Sequence, residues 1–458
     1  MGLGLHGGGL ESARFLIKRG ADVTITDLRD EKTLQPAMEQ LGENVRYVLT
    51  RHDIEDFKNA DIVVKNPGVR PDSPFLKAAK QIETDISLFL MESPAKLFAV
   101  TGTKGKSSTT SALYHILLKT SRSFLGGNIT VSPLTFLDEL NEDDNVVLEL
   151  SSFQLGDLKV RKGKDGSPLL KPKAAVLTSI MADHLDRYVS MDEYIDDKRN
   201  IYRGQDSECV TVAGDDSWGK SFLSETKGRT VVCSNSPLNT GISGGWFDGG
   251  IGYARLYNFP GITDEKQELV PERLFVPGAH QKMNMLAAAL AAYGCGVKAE
   301  TIRSALSDFR GIEHRIEFFH ESKGVKFYND SAATIPEAAA ACIEALSSAA
   351  SSQGGLVLVT GGTDKNLDFS PLVKAAGKAK AIVLLAGTGS DKLASLLGEA
   401  GISCFGPFDD LDKAVHCAVD KTGKGDIAAL SPGCASFGMF LNEFDRGRKW
   451  KEAVIKYA

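Results

Sequence analysis

Thr101-Gly102-Thr103-Lys104-Gly105-Lys106-Ser107-Ser108-Thr109 has the composition of a phosphate cradle. The apolar run Leu97-Phe98-Ala99-Val100 before it reads as a strand, and Thr110 to Leu118 after it reads as a helix. Between such elements, glycines let backbone N–H groups wrap a phosphate, and the helix N-terminus adds partial positive charge. Gly102, Thr103, Lys104, Gly105, Ser107 and Ser108 would hold a nucleoside triphosphate, with Lys106 neutralising its terminal phosphates and the Ser107 hydroxyl ligating Mg²⁺. The loop is shorter than G-x-x-x-x-G-K-S, because Val100 rather than glycine stands six before Lys106. The flanking strand and helix therefore carry this reading more than the motif does.

Three further residues suit a metal and proton chemistry. Glu149 sits inside the apolar strand Val146 to Leu150, where an unpaired carboxylate costs several kcal/mol on the order of burial penalties for charges, so a cationic partner is expected. His184, in Met181-Ala182-Asp183-His184-Leu185-Asp186-Arg187-Tyr188, follows the strand Ala174 to Leu177, and open α/β sheets bind ligands beyond the carboxyl ends of their strands. Alone, Glu149 reads equally well as an ion-pair residue and His184 as a structural one. Ser190-Met191-Asp192-Glu193 is a capping-box pattern that predicts a helix from Met191 to Tyr202. Lys198 shares its face with Tyr194, Ile195, Ile201 and Tyr202 and meets no acid three or four residues away. A desolvated lysine tends toward its neutral, nucleophilic amine.

The elements that must position these groups fall into three blocks of alternating β-branched runs and helical patterns, so the fold class is α/β with parallel sheets. At roughly 150 residues per domain, 458 residues allow about three domains. The expected boundaries are 1–93, 94–310 and 311–458. In the first block Val23 to Thr26 and Asp61 to Val64 read as strands, with helices over Glu11 to Arg19 and Ser73 to Ala79. In the second, Ser234 to Glu272 is rich in Gly, Pro and Asn and reads as irregular or hairpin structure. The third carries strands at Gly324 to Tyr328, Leu356 to Val359, Ala381 to Leu385 and Ile427 to Leu430, with Ser347 to Gly355 as a surface loop.

A net charge of -6 offers no global attraction for nucleic acid, and no nucleic-acid partner is expected. The apolar run Met285 to Tyr293 is about half of the ~18 residues that span a bilayer, so no membrane span is expected either. Seven scattered cysteines without a C-x-x-C pair suggest neither a disulfide framework nor a zinc site, and fit a reducing cytoplasm.

Gly2-Leu3-Gly4-Leu5-His6-Gly7 is G-x-G-x-x-G, and Asp27 follows at the spacing of a ribose-binding acid, which by motif alone admits NAD. A dehydrogenase has no use for the second phosphate loop, and a non-catalytic ATP-binding protein has no use for Glu149, His184 and Lys198. Only Met1 precedes Gly2, whereas such a loop normally follows a strand, so a first strand is expected upstream of this start.

Taken together, Glu149-Leu150-Ser151-Ser152-Phe153-Gln154-Leu155, Asp183 to Tyr188, Asn329-Asp330-Ser331 and Leu430-Ser431-Pro432-Gly433-Cys434-Ala435-Ser436 resemble the Mur ligases, ATP-dependent amide-forming enzymes of peptidoglycan precursor synthesis. The match runs through almost the whole chain and is closest to the D-glutamate-adding branch. The resemblance implies a UDP-sugar-binding Rossmann-like domain, a central P-loop ATPase and a C-terminal Rossmann-like domain, in a monomer. It implies UDP-N-acetylmuramoyl-L-alanine and D-glutamate as substrates, with another acceptor amino acid as the alternative. ATP and two Mg²⁺ sites are implied, with Ser107, Glu149, His184 and a carbamylated Lys198 as metal ligands.

Lys106, Lys198, His184 and Asn128 are the implied catalytic residues, Asn128 lying near the reacting carboxyl. Asn284, Arg315 and Asp330 resemble nucleotide contacts, and His314-Arg315 marks the start of the C-terminal domain. Gly4, Leu5, His6, Asp27, Leu28 and Arg29 would hold the uridine diphosphate. Thr334, Lys365, Ser436 and Phe437 match the acceptor pocket. Ala332, Gln281 and the placement of Phe444 depart from the family pattern, so the identity and chirality of the acceptor stay open at this point.

Overall fold

In a parallel sheet covered on both faces, strands are near-continuous apolar runs, and the central strands here follow that rule. Asn145–Glu149 and Ala174–Leu177 are buried at every position. The structure, a computed structural model, describes residues 1–4, 8–42, 45–129, 131–163, 166–184, 187–350 and 354–458. Two compact units form, Met1–Glu272 with Met283–Leu306, and Arg273–Lys282 with Ser307–Ala458. The first two sequence blocks thus share one unit, and the segment Arg273–Lys282 belongs with the third.

The first unit is built on a nine-stranded sheet in the order Gln267–Val270, Ile251–Arg255, Gly244–Asp248, Arg229–Cys233, Val210–Gly214, Ala174–Leu177, Lys96–Thr101, Asn145–Glu149, Ser123–Gly127. From Gly244–Asp248 to Ser123–Gly127 the neighbours run parallel. Register pairs Glu149 with Val100 on one side and Gly127 on the other. The phosphate loop, Glu149 and Asn128 therefore emerge together at the carboxyl edge. A slip of one residue would turn each of Val146, Val147 and Leu148 to the opposite face, and misplacing a buried side chain of this size costs about 1.5–3 kcal/mol. The expected hairpin region contains Gly244–Asp248 and Ile251–Arg255 as an antiparallel pair, turned by Gly249 and Gly250 at φ of 58° and 85°.

Ahead of this sheet, Thr24–Asp27 pairs in parallel with Arg46–Leu49, and Val63–Val64 with Ile82–Glu83. Met1 and Gly2 lie between the two pairs. Gly2 N donates to Thr26 O at 2.8 Å, Met1 N to Val64 O at 2.7 Å, and Asn66 N to Met1 O at 3.0 Å. These two residues thus engage both neighbours where the ladder was expected to lack a strand.

The second unit carries a six-stranded sheet, Glu317–Ser322, Val325–Asn329, Ile427–Leu430, Leu356–Thr360, Ala381–Leu385, Phe405–Phe408, antiparallel only at its first pair. Period-2 alternation sends Leu356 and Leu358 into one core with Ile343, Leu372 and Leu397, and Val357 and Val359 into another with Val415, Trp450 and Val454. Of the expected surface loop Ser347 to Gly355, residues 351–353 lie outside the described set.

Two helices differ from expectation. The one after the phosphate loop spans Lys106–Leu117, because the loop's own Lys106 opens it. The Lys198 helix spans Met191–Arg199 and stops short of Tyr202. Asn200 caps it, and its Nδ2 donates to Asp197 O at 3.0 Å, taking a carbonyl that a continuing helix would use. Among the described residues no helix is long and apolar enough to cross a membrane, and all seven cysteines are unpaired.

Candidate active site

The phosphate loop owes its shape to two glycines. Gly102 has φ 147°, and a Cβ there would lie 1.9 Å from Thr178 Oγ1; Gly105 has φ 88°, and a Cβ would lie 2.4 Å from Asn284 Oδ1. The strand end at Thr178 pins the loop. Thr103 N donates to Ser179 O at 2.7 Å, and Thr178 Oγ1 donates to Lys104 O at 2.6 Å. Gly105 gives the Lys106–Leu117 helix no side-chain cap, which leaves its first turn suited to an anion. Lys106 Nζ folds back onto Gly102 O at 3.2 Å and Thr103 O at 3.0 Å. Ser107 and Ser108 are half-buried beside it, and Lys104 is exposed, 3.9 Å from Asp183.

Glu149 is buried, and its partner is an amide rather than the expected cation: Asn128 Nδ2 donates to Oε1 at 2.8 Å. The other oxygen, Oε2, is buried without a hydrogen-bond partner. A buried carboxylate oxygen left without a partner is what a divalent-cation ligand presents before the ion is bound, and hard cations of this kind prefer oxygen donors. His184 has φ 55°; its ring lies 4.9 Å from that of Phe153, and its Nε2 is 4.0 Å from Asp183 Oδ2. Leu185 and Asp186 lie outside the described residues.

Lys198 is 1% exposed, and its Nζ donates to Gly102 O at 2.7 Å and sits 4.5 Å from the centre of the Tyr194 ring. Burial, reinforced by the charge of Lys106, lowers its pKa to about 7 against the opposing pull of Asp183 and Asp197. A substantial neutral fraction therefore exists near neutral pH. The donor chemistry fits Mg²⁺, for Glu149 presents a carboxylate oxygen with no protein partner, and His184 and Lys198 line the cavity that Asn128 shares.

Gly102, Lys106, Asn128, His184 and Lys198 line one cavity of about 460 Å³. Sequence reasoning missed others on the same wall. Tyr194 counted as an apolar neighbour of Lys198, yet its hydroxyl bonds Thr103 Oγ1 at 2.9 Å. Asp85 opens the Asp85–Glu92 helix, and its buried carboxylate accepts from Ser132 Oγ at 3.1 Å. The Thr84–Ser87 cap was the available signal for it. Gln154 belongs to the capping box with Ser151, which the quoted motif contained but whose role it did not reveal.

Asp27 is committed within the protein. Oδ2 accepts from Leu3 N at 2.9 Å and Arg29 Nη2 at 2.8 Å, and Oδ1 from Arg29 N and Nε, both at 3.0 Å. Burial works to raise its pKa, and the Arg29 hydrogen bonds outweigh it and hold the carboxyl below its usual range. Asp27 thus fixes Arg29 and the start of the glycine loop. Leu28 is exposed beside them, Gly4 has φ 73°, and Leu5 and His6 lie outside the described residues.

Asn284 belongs to the first unit, and Arg315 and Asp330 to the second. Arg315 is exposed, whereas Asp330 is buried and accepts from Ile316 N at 3.1 Å and Ser431 Oγ at 2.6 Å. Burial raises its pKa to about 6. The native state therefore binds a proton more tightly than the unfolded chain, so this group's contribution to stability is full below about pH 4 and is lost as pH rises through 6. Asp330→Asn is expected to flatten the stability profile between pH 4 and 6, measured by denaturant titration at each pH. An unchanged slope would show that Asp330 does not titrate there.

The residues expected to receive the acceptor, Thr334, Lys365, Ser436 and Phe437, follow the carboxyl ends of the adjacent strands Val325–Asn329, Ile427–Leu430 and Leu356–Thr360. Thr363 and Ala435 exchange two backbone hydrogen bonds of 3.1 Å, and Thr363 Oγ1 donates to Phe437 O at 2.5 Å. This staples the loop of exposed Lys365 to that of buried Ser436 and exposed Phe437. Gly433 N donates to Ala333 O at 2.8 Å, which draws Thr334 alongside. Buried Arg446 braces the group, donating to Ser331 Oγ, Ser331 O and Cys434 O at 3.0, 2.9 and 3.2 Å.

Known families account for this arrangement. Residues 1–87 match the Mur ligase MurD-like N-terminal domain, residues 100–292 the Mur ligase middle domain, and residues 314–434 the Mur ligase glutamate ligase domain. Among similar proteins, the UDP-N-acetylmuramoylalanine–D-glutamate ligase of Treponema pallidum is 37% identical, covering 99% of this chain and 96% of its own. Its namesake in Borreliella afzelii is 40% identical over the same shares. The solved UDP-N-acetylmuramate-alanine ligase MurC of Thermotoga maritima shares the fold at a TM-score of 0.56 and 18% identity, covering 98% of this chain and 97% of its own. With three consecutive domains matched and full-length relatives at this identity, the chain belongs to the Mur ligase family, alongside relatives named UDP-N-acetylmuramoylalanine–D-glutamate ligases.

Proposed function

We propose that the protein joins D-glutamate to UDP-N-acetylmuramoyl-L-alanine in an ATP-driven amide ligation. A carboxylate oxygen of the nucleotide sugar attacks the γ-phosphorus and ADP leaves, giving an acyl phosphate. The acceptor amine then attacks the acyl carbon, and the tetrahedral intermediate expels phosphate as the amine loses its proton. The observation that carries this reading is the gathering of Lys106, Asn128, His184 and Lys198 around one cavity, with the orphaned Glu149 carboxylate behind Asn128.

Lys106 and the uncapped helix start hold the phosphates, so the chain contributes mainly by positioning and charge stabilisation. Asn128 orients Glu149 and stands near the reacting carboxyl. Glu149, His184 and Ser107 would hold Mg²⁺, which would supply positive charge to the phosphate oxygens. Lys198, with its depressed pKa, attacks CO₂ as the neutral amine and releases a proton, becoming a carbamate that adds an anion to that site. Thr334, Lys365, Ser436 and Phe437 receive the amino acid, and Asn284, Arg315 and Asp330 serve the nucleotide. Seven unpaired thiols suit a reducing, cytoplasmic setting.

The test is release of phosphate and ADP with the three substrates supplied singly, in pairs and together. Stoichiometric release only with all three is expected. Release independent of the amino acid would make the protein an ATPase rather than a ligase, and none at all would leave it a binding protein.

A further inference from the structure

Lys65 lies at the seam between the N-terminal strands and the central sheet, and no site reading absorbs it. Its side chain is 2% exposed and its Nζ is 2.7 Å from Asp157 Oδ2, on the Ser152–Leu158 helix that follows Glu149. The same Nζ donates to Val69 O at 3.2 Å, holding the loop whose Asn66, Pro67 and Gly68 line the cavity. From the other side Arg187 donates to Gly68 O at 3.2 Å and Val69 O at 3.3 Å. Its guanidinium lies 3.8 Å from the centre of the Phe153 ring, and Phe153 packs against His184. One buried cation and one stacked arginine thus join three cavity-lining segments that are distant in sequence. The domains have a separate tie between buried Glu83 and half-buried Arg161, so docking of the N-terminal strands does not depend on Lys65 alone.

We propose that Lys65, with Arg187, is a positioning residue that couples nucleotide-sugar occupancy of the cavity, felt at its lining loop 66–69, to the metal–ATP site through the Ser152–Leu158 helix and the His184 segment. The inference rests on the proposed nucleotide-sugar site. A ligand that orders loop 66–69 pulls on Val69 O and Gly68 O, and the two cations transmit the displacement to Asp157 and Phe153. By linkage, the ATP ligand must tighten nucleotide-sugar binding by the same factor.

The probe is a non-hydrolysable ATP analogue with Mg²⁺, titrated with and without saturating UDP-N-acetylmuramoyl-L-alanine. In the native protein the sugar is expected to tighten the analogue at least about fivefold. Lys65→Met combined with Asp157→Leu replaces the pair by apolar side chains and leaves no buried lone charge. This variant should bring the factor to within about twofold of one, while affinity without the sugar stays within about twofold of native. Lys65→Arg should retain the coupling. Arg187→Gln, at a half-buried position, should also lower it and carries the test if the double variant does not fold. Equal factors in native and variant proteins, or a native factor of one, would overturn the inference alone. Failure of the native protein to bind the nucleotide sugar would overturn the functional reading with it.

Discussion

Lys198→Ala is expected to lower turnover by roughly 10³-fold, the upper end of what removing one electrostatic group from a preorganised site costs. A plain strut would produce a loss too, because the native Nζ holds Gly102 O at 2.7 Å in the phosphate loop. The carbamate makes three further demands that a strut does not. Lys198→Arg keeps a cation and a donor but cannot form the carbamate under these conditions, so it should remain as inactive as the alanine variant. Short carboxylates such as formate should restore several-fold activity to Lys198→Ala, because the vacated volume admits an anion into the cavity that His184 and Asn128 also line. Depleting CO₂ should lower native activity and leave both variants unchanged. Full native activity in CO₂-free buffer would remove the carbamate and leave Lys198 as a support for the loop.

The parts of this site that could be read from sequence are those whose physics is local. A glycine loop between an apolar strand and a helix specifies its own conformation, and the Ser190 cap announces the helix of Lys198: Ser190 Oγ accepts from Glu193 N, and the Glu193 carboxylate accepts from Val189 N. The apolar neighbours of Lys198 foretold its burial and thereby its depressed pKa. Local reasoning failed where a partner comes from a distant segment. A buried Glu149 called for a cation, and the sheet instead supplied Asn128 from just past the adjacent strand, an amide that satisfies one oxygen and leaves the other for a ligand. The ribose-like spacing of Asp27 was visible, but its engagement by Leu3 and Arg29 depends on how the chain start folds over it. Lys65 resembled any charged residue after a short strand. Only the docking of Asp157, 92 positions later, encloses it.

Lys365→Ala tests the acceptor. Lys365 projects from a loop stapled to Ser436 and Phe437 by the Thr363–Ala435 pairing, so its backbone is fixed while its side chain stays exposed. A lysine so placed can meet the side-chain carboxylate of D-glutamate when the amino acid fills the pocket, and truncating one partner of such a pair costs about 2–5 kcal/mol. The KM for D-glutamate should therefore rise about 10²-fold, with kcat changing less, because the contact is made equally in the ground and transition states. Loss of affinity alone could come from a disturbed loop, so D-glutamine, which lacks the charge, supplies the second edge of a cycle. The native protein should prefer D-glutamate over D-glutamine strongly, and the variant should treat the two alike to within about threefold if the pair is the source of discrimination. A preference that survives Lys365→Ala would place the carboxylate against another cation. Native turnover that is equal with a diamino acid would show that the pocket does not select for a second carboxylate, and would move the protein to a different acceptor within the same family.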